Sequence, residues 1–277
     1  MGSVGFGLLA ALIWGAGALY TARFARSAEG VTFVQWFLIA QTALLLPPLL
    51  AFADWGSITA GGVAIICLAG VSEAVAAHFY GLALTRGDVG LVTPLISLEG
   101  AVAAILGLTL EGSDTVSAPL LLGLAVASTG GLLAGGSRGG GWSSRGAPPA
   151  LAAAFFFGTA LWLIAITSLD PISALFIFYA AASAFTAFRT GFRGLRLPGR
   201  GRGALLLGSL GSVGGFVVYG FGAQGDSIAI TAVLGAQFSV VAAAGGFVFF
   251  GERLTVRQWA AVPVVAAGVA LIALATS

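Results

Sequence analysis

The sequence predicts an all-α integral membrane protein of ten transmembrane helices, built as two five-helix repeats of inverted topology. Three observations predict it. Of 277 residues, 58% are hydrophobic and only 8% are charged, against about 25% charged in soluble domains, so most of the surface must face lipid. The apolar residues fall in long charge-free runs, each about the 20 residues that a helix needs to cross a bilayer. The basic residues occupy alternate loops only, a segregation that holds for ten spans and would be scrambled by a missed one.

Taking the spans in order, charge-free runs lie at Met1–Ala22, Gly30–Ala53, Thr115–Ser137, Gly146–Leu169, Gly203–Gly225, Ser227–Gly251 and Gln258–Ser277, with a slightly shorter one at Pro171–Phe188. Gly61–Leu84 is interrupted by Glu73 and His78, and Val89–Leu110 by Glu99. Cut at their charges, these two would leave pieces too short to span, so each is expected to be one continuous helix with a buried charge. Met1–Tyr20 lacks the basic start of a cleavable leader and reads as the first span. The connections are short and rich in Gly, Pro, Asp and Arg. The stretch 138–149, with Gly139-Gly140-Gly141 and Pro148-Pro149, separates a first repeat (1–137) from a second (150–277) and is expected to be a cytoplasmic linker. No room is left for a soluble catalytic domain.

Composition excludes several chemistries. One cysteine, Cys67, cannot form a disulfide within the chain, and with one His it cannot build a zinc site. All twelve basic residues are Arg and the net charge is +2, too small and scattered for nucleic acid. No phosphate-binding loop occurs, and no cofactor is expected. No nucleophile–base constellation appears either, so an enzyme is not expected. The Gly- and Ala-rich, Lys-free composition suits a GC-rich genome, and the expected location is a prokaryotic plasma membrane.

The loops set the orientation. Arg23, Arg26, Arg86, Arg138, Arg145, Arg189, Arg193, Arg196, Arg200, Arg202, Arg253 and Arg257 all fall on one side. The opposite loops carry Asp54, Glu111, Asp114, Asp170 and Asp226 and no base. Basic residues in short loops stay in the cytoplasm, which places both termini outside.

An internal echo supports the two halves. Gly87-Asp88, Thr93 and Glu99 match Gly225-Asp226, Thr231 and Gln237 at an offset of 138, and Tyr80-Gly81 matches Tyr219-Gly220 at 139. Halves with odd numbers of spans enter the membrane in opposite senses, the arrangement that suits alternating access around a midplane site. The stretch Leu91–Ala104, with Glu99-Gly100, resembles the fourth-helix signature of EamA-type members of the drug/metabolite transporter superfamily. Ala236-Gln237-Phe238, followed by Phe250-Gly251-Glu252-Arg253-Leu254-Thr255, resembles the ninth-helix signature, and Trp14-Gly15 echoed by Phe157-Gly158 fits as well. The second span often carries an Arg in that family; here it has Gln35 and Gln41. The resemblance implies a transporter that exports or imports amino acids, nucleosides, drugs or other metabolites; with the buried Glu99 to carry a proton, the expected function is a secondary transporter exporting a small polar metabolite, an amino acid or similar, with proton coupling through Glu99. The alternative is an uncoupled facilitator or channel-like permease, or, less in keeping with the sequence, a membrane-embedded enzyme. The expected partners are a small-molecule substrate, protons and lipid, with the chain a monomer or weak homo-oligomer.

Depth singles out the candidate residues. Glu99 and Glu73 each lie about 16 Å from the ends of their spans, where a charge is costly unless paired or hydrated and usually faces a cavity. Glu99 is expected to bind a cationic or amino group, or to exchange it for a proton; the competing reading is a protonated Glu bonded to a neighbouring helix. Glu73 carries the same two readings. His78, about 7.5 Å along the helix from Glu73, is either a proton relay or a core His. Gln237, matched to Glu99, either completes a pseudo-symmetric site or makes an interhelical hydrogen bond. Gln41 and Trp14 are further candidate substrate contacts. Tyr80 and Tyr219, near span ends, read as interfacial belt residues. With both termini outside, a reporter active only in the cytoplasm stays silent when fused after Ser277; an active fusion would overturn the orientation.

Overall fold

A computed structural model describes residues 2–25, 27–28, 30–86, 92, 95–110, 117–133, 146–195, 200–225, 227–250 and 256–275. Most of the linker 138–149 lies outside the described residues, as do Asp88, Thr93, Glu111, Asp114, Asp226, Glu252, Arg26, Arg138, Arg145, Arg196 and Arg253.

Among the described residues the regular structure is entirely helical: α1 (Ser3–Ala25), α2 (Gly30–Phe52), α3 (Ala60–Arg86), α4 (Glu99–Leu110), α5 (Ala118–Leu133), α6 (Ala147–Ile166), α7 (Pro171–Arg189), α8 (Arg202–Ala223), α9 (Ile228–Gly235), α10 (Phe238–Phe250) and α11 (Val256–Ala275). Six of them, α1, α2, α3, α6, α7 and α8, are long and apolar enough to cross a membrane. Four shorter apolar stretches, Glu99–Leu110, Ala118–Leu133, Ile228–Ala242 and Trp259–Ile272, occupy the places of the other four expected spans.

Local chemistry explains the helix ends. Asp170 precedes Pro171, whose missing N–H costs nothing in a first helical turn, and its Oδ1 accepts from the Ile172 and Ser173 amides at 3.0 Å. Ser227 caps α9 by accepting from the Ile230 amide. These caps satisfy donors that have no partner within the helix.

Glu73 sits at the centre of the unbroken α3, thirteen residues from either end, as expected. The fourth span departs from the expectation of one continuous helix. It turns at Ser97-Leu98, where the Leu98 amide bonds back to the Leu95 carbonyl at 3.3 Å in an i to i−3 step, and α4 begins at Glu99 itself. The ninth span is broken in the same way, with Gln237 N–H to Leu234 O at 3.1 Å between α9 and α10. The sequence places no Pro at either break.

The outer surface is apolar, with Leu50, Phe52, Leu68, Phe155 and Phe188 exposed, while Gln35, Gln41, Glu73, Glu99 and Gln237 are buried. Polar inside and apolar outside is the distribution lipid demands. The two halves interleave: α1 packs on α8, α9 and α10, α6 on α3 and α4, α2 on α7, α4 on α9, and α5 on α11. Small residues let these helices meet backbone to backbone. Gly17 of α1 faces Gly211 of α8, and a Cβ on Gly17 would stand 2.8 Å from the Gly211 Cα. Gly211→Val is therefore expected to cost about 1–3 kcal/mol by overpacking, read as a lower thermal midpoint in detergent. Gly203→Ala, in open space at the start of the same helix, should leave the midpoint unchanged or raise it.

Candidate functional site

Helical periodicity assembles a cavity between the halves that both buried acids line. On α3, Glu73, Ala77 and Tyr80 follow at i, i+4 and i+7, and on α1 Trp14, Gly17, Ala18 and Thr21 do the same, so each helix presents one stripe. Glu99 joins them from the first turn of α4, with Phe157 of α6, Ser212 and Phe216 of α8 and Phe238 of α10. The volume is about 150 Å³, enough for a molecule of roughly benzene's size or about five waters.

The carboxyl groups are held by packing. Ser72 donates to the Phe156 carbonyl at 2.8 Å, pinning α3 to α6 one residue from Glu73. Gly158 lies against the backbone at Glu99: a Cβ there would come 2.5 Å from the Glu99 carbonyl oxygen. Glu73 is 7% exposed, and its Oε2 has no hydrogen-bond partner among the described residues. A buried polar atom of this kind needs a partner from outside the chain or a proton.

The same cavity has an aromatic wall tied to Ser212. The Trp14 indole donates to the Ser212 carbonyl at 3.2 Å, and its ring lies edge-on to Phe216 with centroids 5.0 Å apart. Ser212 Oγ accepts from Gln41 Nε2 at 2.7 Å and pairs with the Tyr179 hydroxyl at 3.3 Å.

The cavity reaches one end of the bundle. Its lining runs to Thr21, Phe33 and Gly208, within two turns of the α1 C-terminus and of the α2 and α8 N-termini, the end that carries Arg23 and Arg202. The other end is latched across the halves. Ser57 Oγ accepts from the Asp170 amide at 3.2 Å, Thr59 pairs with Ser168 at 3.1 Å, and Ser3 Oγ accepts from the Ser227 amide at 2.9 Å. Within the second half, at the same end, Gln224 Nε2 donates to the Ile164 and Leu169 carbonyls at 3.3 Å.

Of the six residues singled out from the sequence, Glu73, Glu99 and Trp14 line the cavity, and Gln41 stands behind it through Ser212. Gln237 and His78 do not line it. Gln237 donates from Nε2 to the Val233 carbonyl at 2.8 Å, satisfying an acceptor that the end of α9 would leave open. His78 is exposed, with Arg189 Nη2 3.4 Å from its Nε2. Five residues on from Glu73, it is turned about 140° around the helix. The belt reading of the tyrosines also gives way: Tyr219 is fully buried and donates to the Leu161 carbonyl at 3.0 Å, and Tyr80 lines the cavity.

The residues missed from the sequence are Ser212, Phe157, Phe216 and Phe238. A register signal finds the last of them. The two i to i−3 turns, at Leu98 and Gln237, match at an offset of 139. Gly158 abuts Glu99 O and Val102 as Gly15 abuts Phe238 O and Val241, again at 139. The geometry thus sets Phe238 in the place of Glu99, where the offset of 138 had set Gln237.

The profile of the EamA-like transporter family matches residues 144–274. No curated protein sequence matches the chain. One solved crystal structure superposes with a TM-score of 0.80 at 18% identity, covering 98% of this chain and 96% of that one, a likeness of fold. The match to an EamA-like transporter profile over residues 144–274 and the apolar helices together make this a multi-pass membrane protein.

Proposed function

We propose that the protein is a secondary transporter that exports a small metabolite from a prokaryotic cytoplasm in exchange for protons, with Glu73 and Glu99 as the exchange site. The observation that carries this reading is the cavity itself: two carboxyl groups share its wall, and it reaches the Arg end of the bundle while the other end is latched.

The physics of exchange follows from burial. An ionised carboxylate that has neither water nor a cation beside it is too costly to enclose in a low-dielectric slab. When both ends close, each carboxyl group must hold a proton or face a positive guest. Substrate arriving from the Arg side displaces protons, and protons arriving from the other side displace substrate. That alternation is exchange.

Alternating access is supported by the contacts between helices. Exchanging α1–α5 for α6–α11 turns the α1/α8 contact into α6/α3, the α3/α7 contact into α8/α2, and the contact of α1 with α9 and α10 into α6/α4. The contacts α2/α7, α4/α9 and α5/α11 map onto themselves. Such pairing is what a two-fold between inverted repeats 1–137 and 150–277, joined by a cytoplasmic linker at 138–149, requires. Rocking of one repeat on the other would break the latch at the Asp54/Asp170 end and open the cavity there, with both termini outside the cell.

Two predictions test this. In proteoliposomes with an imposed pH gradient, using a substrate found by thermal-shift screening, Glu99→Gln and Glu73→Gln should each reduce gradient-driven accumulation at least ten-fold. His78→Gln and Gln237→Leu should keep the coupling, because neither side chain faces the cavity. Wild-type flux that never exceeds equilibration would establish a facilitator instead. In a Cys67→Ser background, Thr21→Cys should react with a membrane-impermeant maleimide from the cytoplasmic side; protection from that side with labelling from the opposite one would reverse the assigned direction.

A further inference from the structure

We infer that the substrate is a compact organic monocation with an apolar body, a protonated amine, and not a zwitterionic amino acid. The inference rests on the cavity being the substrate site proposed above and goes on to name what fits it.

The wall has one sign of charge. Glu73 and Glu99 face the space, and among the described residues no Arg or His lines it. The helix end at the cavity, that of α4, begins with Glu99, whose own carboxyl supplies the negative charge that a helix N-terminus favours. A substrate carboxylate would enter beside two acids with no counter-charge and no described cation to bond it, a desolvation that folded proteins avoid. A positive group finds the opposite: Glu73 and Glu99 line the cavity, and the buried Glu73 Oε2 has no hydrogen-bond partner among the described residues. It is an acceptor waiting for a donor.

The rest of the guest is specified by the rings. Trp14, Tyr80, Phe157 and Phe238 line the same space, and aromatic faces hold both a cation and its apolar substituents. The volume of about 150 Å³ sets the size near that of a single ring or a short branched chain. Positive head, apolar body and no carboxylate together describe an amine such as the product of decarboxylating an apolar amino acid.

Three probes that share one ring separate the requirements. Benzylamine carries the cation, benzyl alcohol replaces it by a neutral hydroxyl, and phenylglycine adds a carboxylate to the same carbon. In thermal-shift titrations of the detergent-solubilised full chain at neutral pH, benzylamine should bind at least ten-fold more tightly than either of the others. Binding should release protons, seen as a buffer-dependent heat in calorimetry, and Glu73→Gln or Glu99→Gln should weaken benzylamine at least ten-fold while leaving benzyl alcohol unchanged. The wild-type comparison decides the matter even where a variant folds poorly. Phenylglycine or benzyl alcohol binding as tightly as benzylamine, or no stabilisation by benzylamine, would overturn the assignment. Benzylamine that binds with this selectivity but is never moved across proteoliposomes would leave the ligand chemistry standing and remove the transporter reading. Gradient-driven flux of a zwitterion would do the reverse.

Discussion

Two carboxyl groups in the middle of a hydrocarbon slab set the terms for the whole molecule. A buried acid can be kept only beside water, a cation, a donor or a proton. Glu73, at the centre of α3, and Glu99, at the head of α4, therefore need a cavity, and the fold is arranged to leave one. Small residues carry the load of closing helices around it. Gly17 against Gly211 brings α1 and α8 together on one side, and Gly158 brings α6 onto the backbone at Glu99 on another. The polar side chains that remain, Ser72, Gln41, Tyr179 and Ser212, are spent on tying the walls in place.

The broken helices answer to the same constraint. Interrupting a helix at mid-depth frees backbone groups that lipid cannot satisfy, so breaks are tolerated only inside protein. Gln237 shows how the cost is met at the ninth span: its amide nitrogen covers the Val233 carbonyl, and its main-chain N–H covers that of Leu234. Its amide nitrogen is thereby committed to the backbone, while its Oε1 is buried without a hydrogen-bond partner among the described residues. At the fourth span the break places a carboxyl at the start of α4, where the helix dipole favours negative charge. One break is capped by its own amide, and the other presents its acid to the cavity.

Much of this was legible in the sequence, and the reason for what was not is specific. Charge-free runs located the spans, because lipid penalises charge along a whole segment and not at one face. Depth alone found Glu73 and Glu99, since an acid there has few alternatives to a cavity. Rotational phase was harder. A helix that is apolar all round carries no stripe to show which side faces inward, so Gln237 and Glu99 looked equivalent at the same depth. His78 lies off the cavity because five residues from Glu73 is the other side of a helix, whereas Tyr80 at seven residues shares its face. The breaks were harder to read because neither Ser97-Leu98 nor Ala236-Gln237 itself contains Pro or Gly, although Pro94 and Gly235 stand just upstream of them.

The register of 139 changes what the proposed two-fold means. It sets Phe238 where the first half has Glu99 and, through Tyr80 and Tyr219, Ser212 where it has Glu73. The backbone at these positions repeats: Ser72 bonds the carbonyl of Phe156, and Gly211 faces that of Ile13. The chemistry does not repeat. Both acids belong to the first half, and in the second their places are taken by a ring and by a hydroxyl bonded to Gln41. A symmetric backbone can exchange one closed end for the other with little difference in packing, which is what rocking needs. A symmetric charge pattern would instead put four acids in about 150 Å³, where like charges raise one another's cost steeply. With both acids in one half, the rings come from both: Trp14 and Tyr80 from the first, Phe157, Phe216 and Phe238 from the second. In the proposed transporter the two halves share the motion but not the chemistry: the first supplies both acids, and rings from both halves enclose the space beside them.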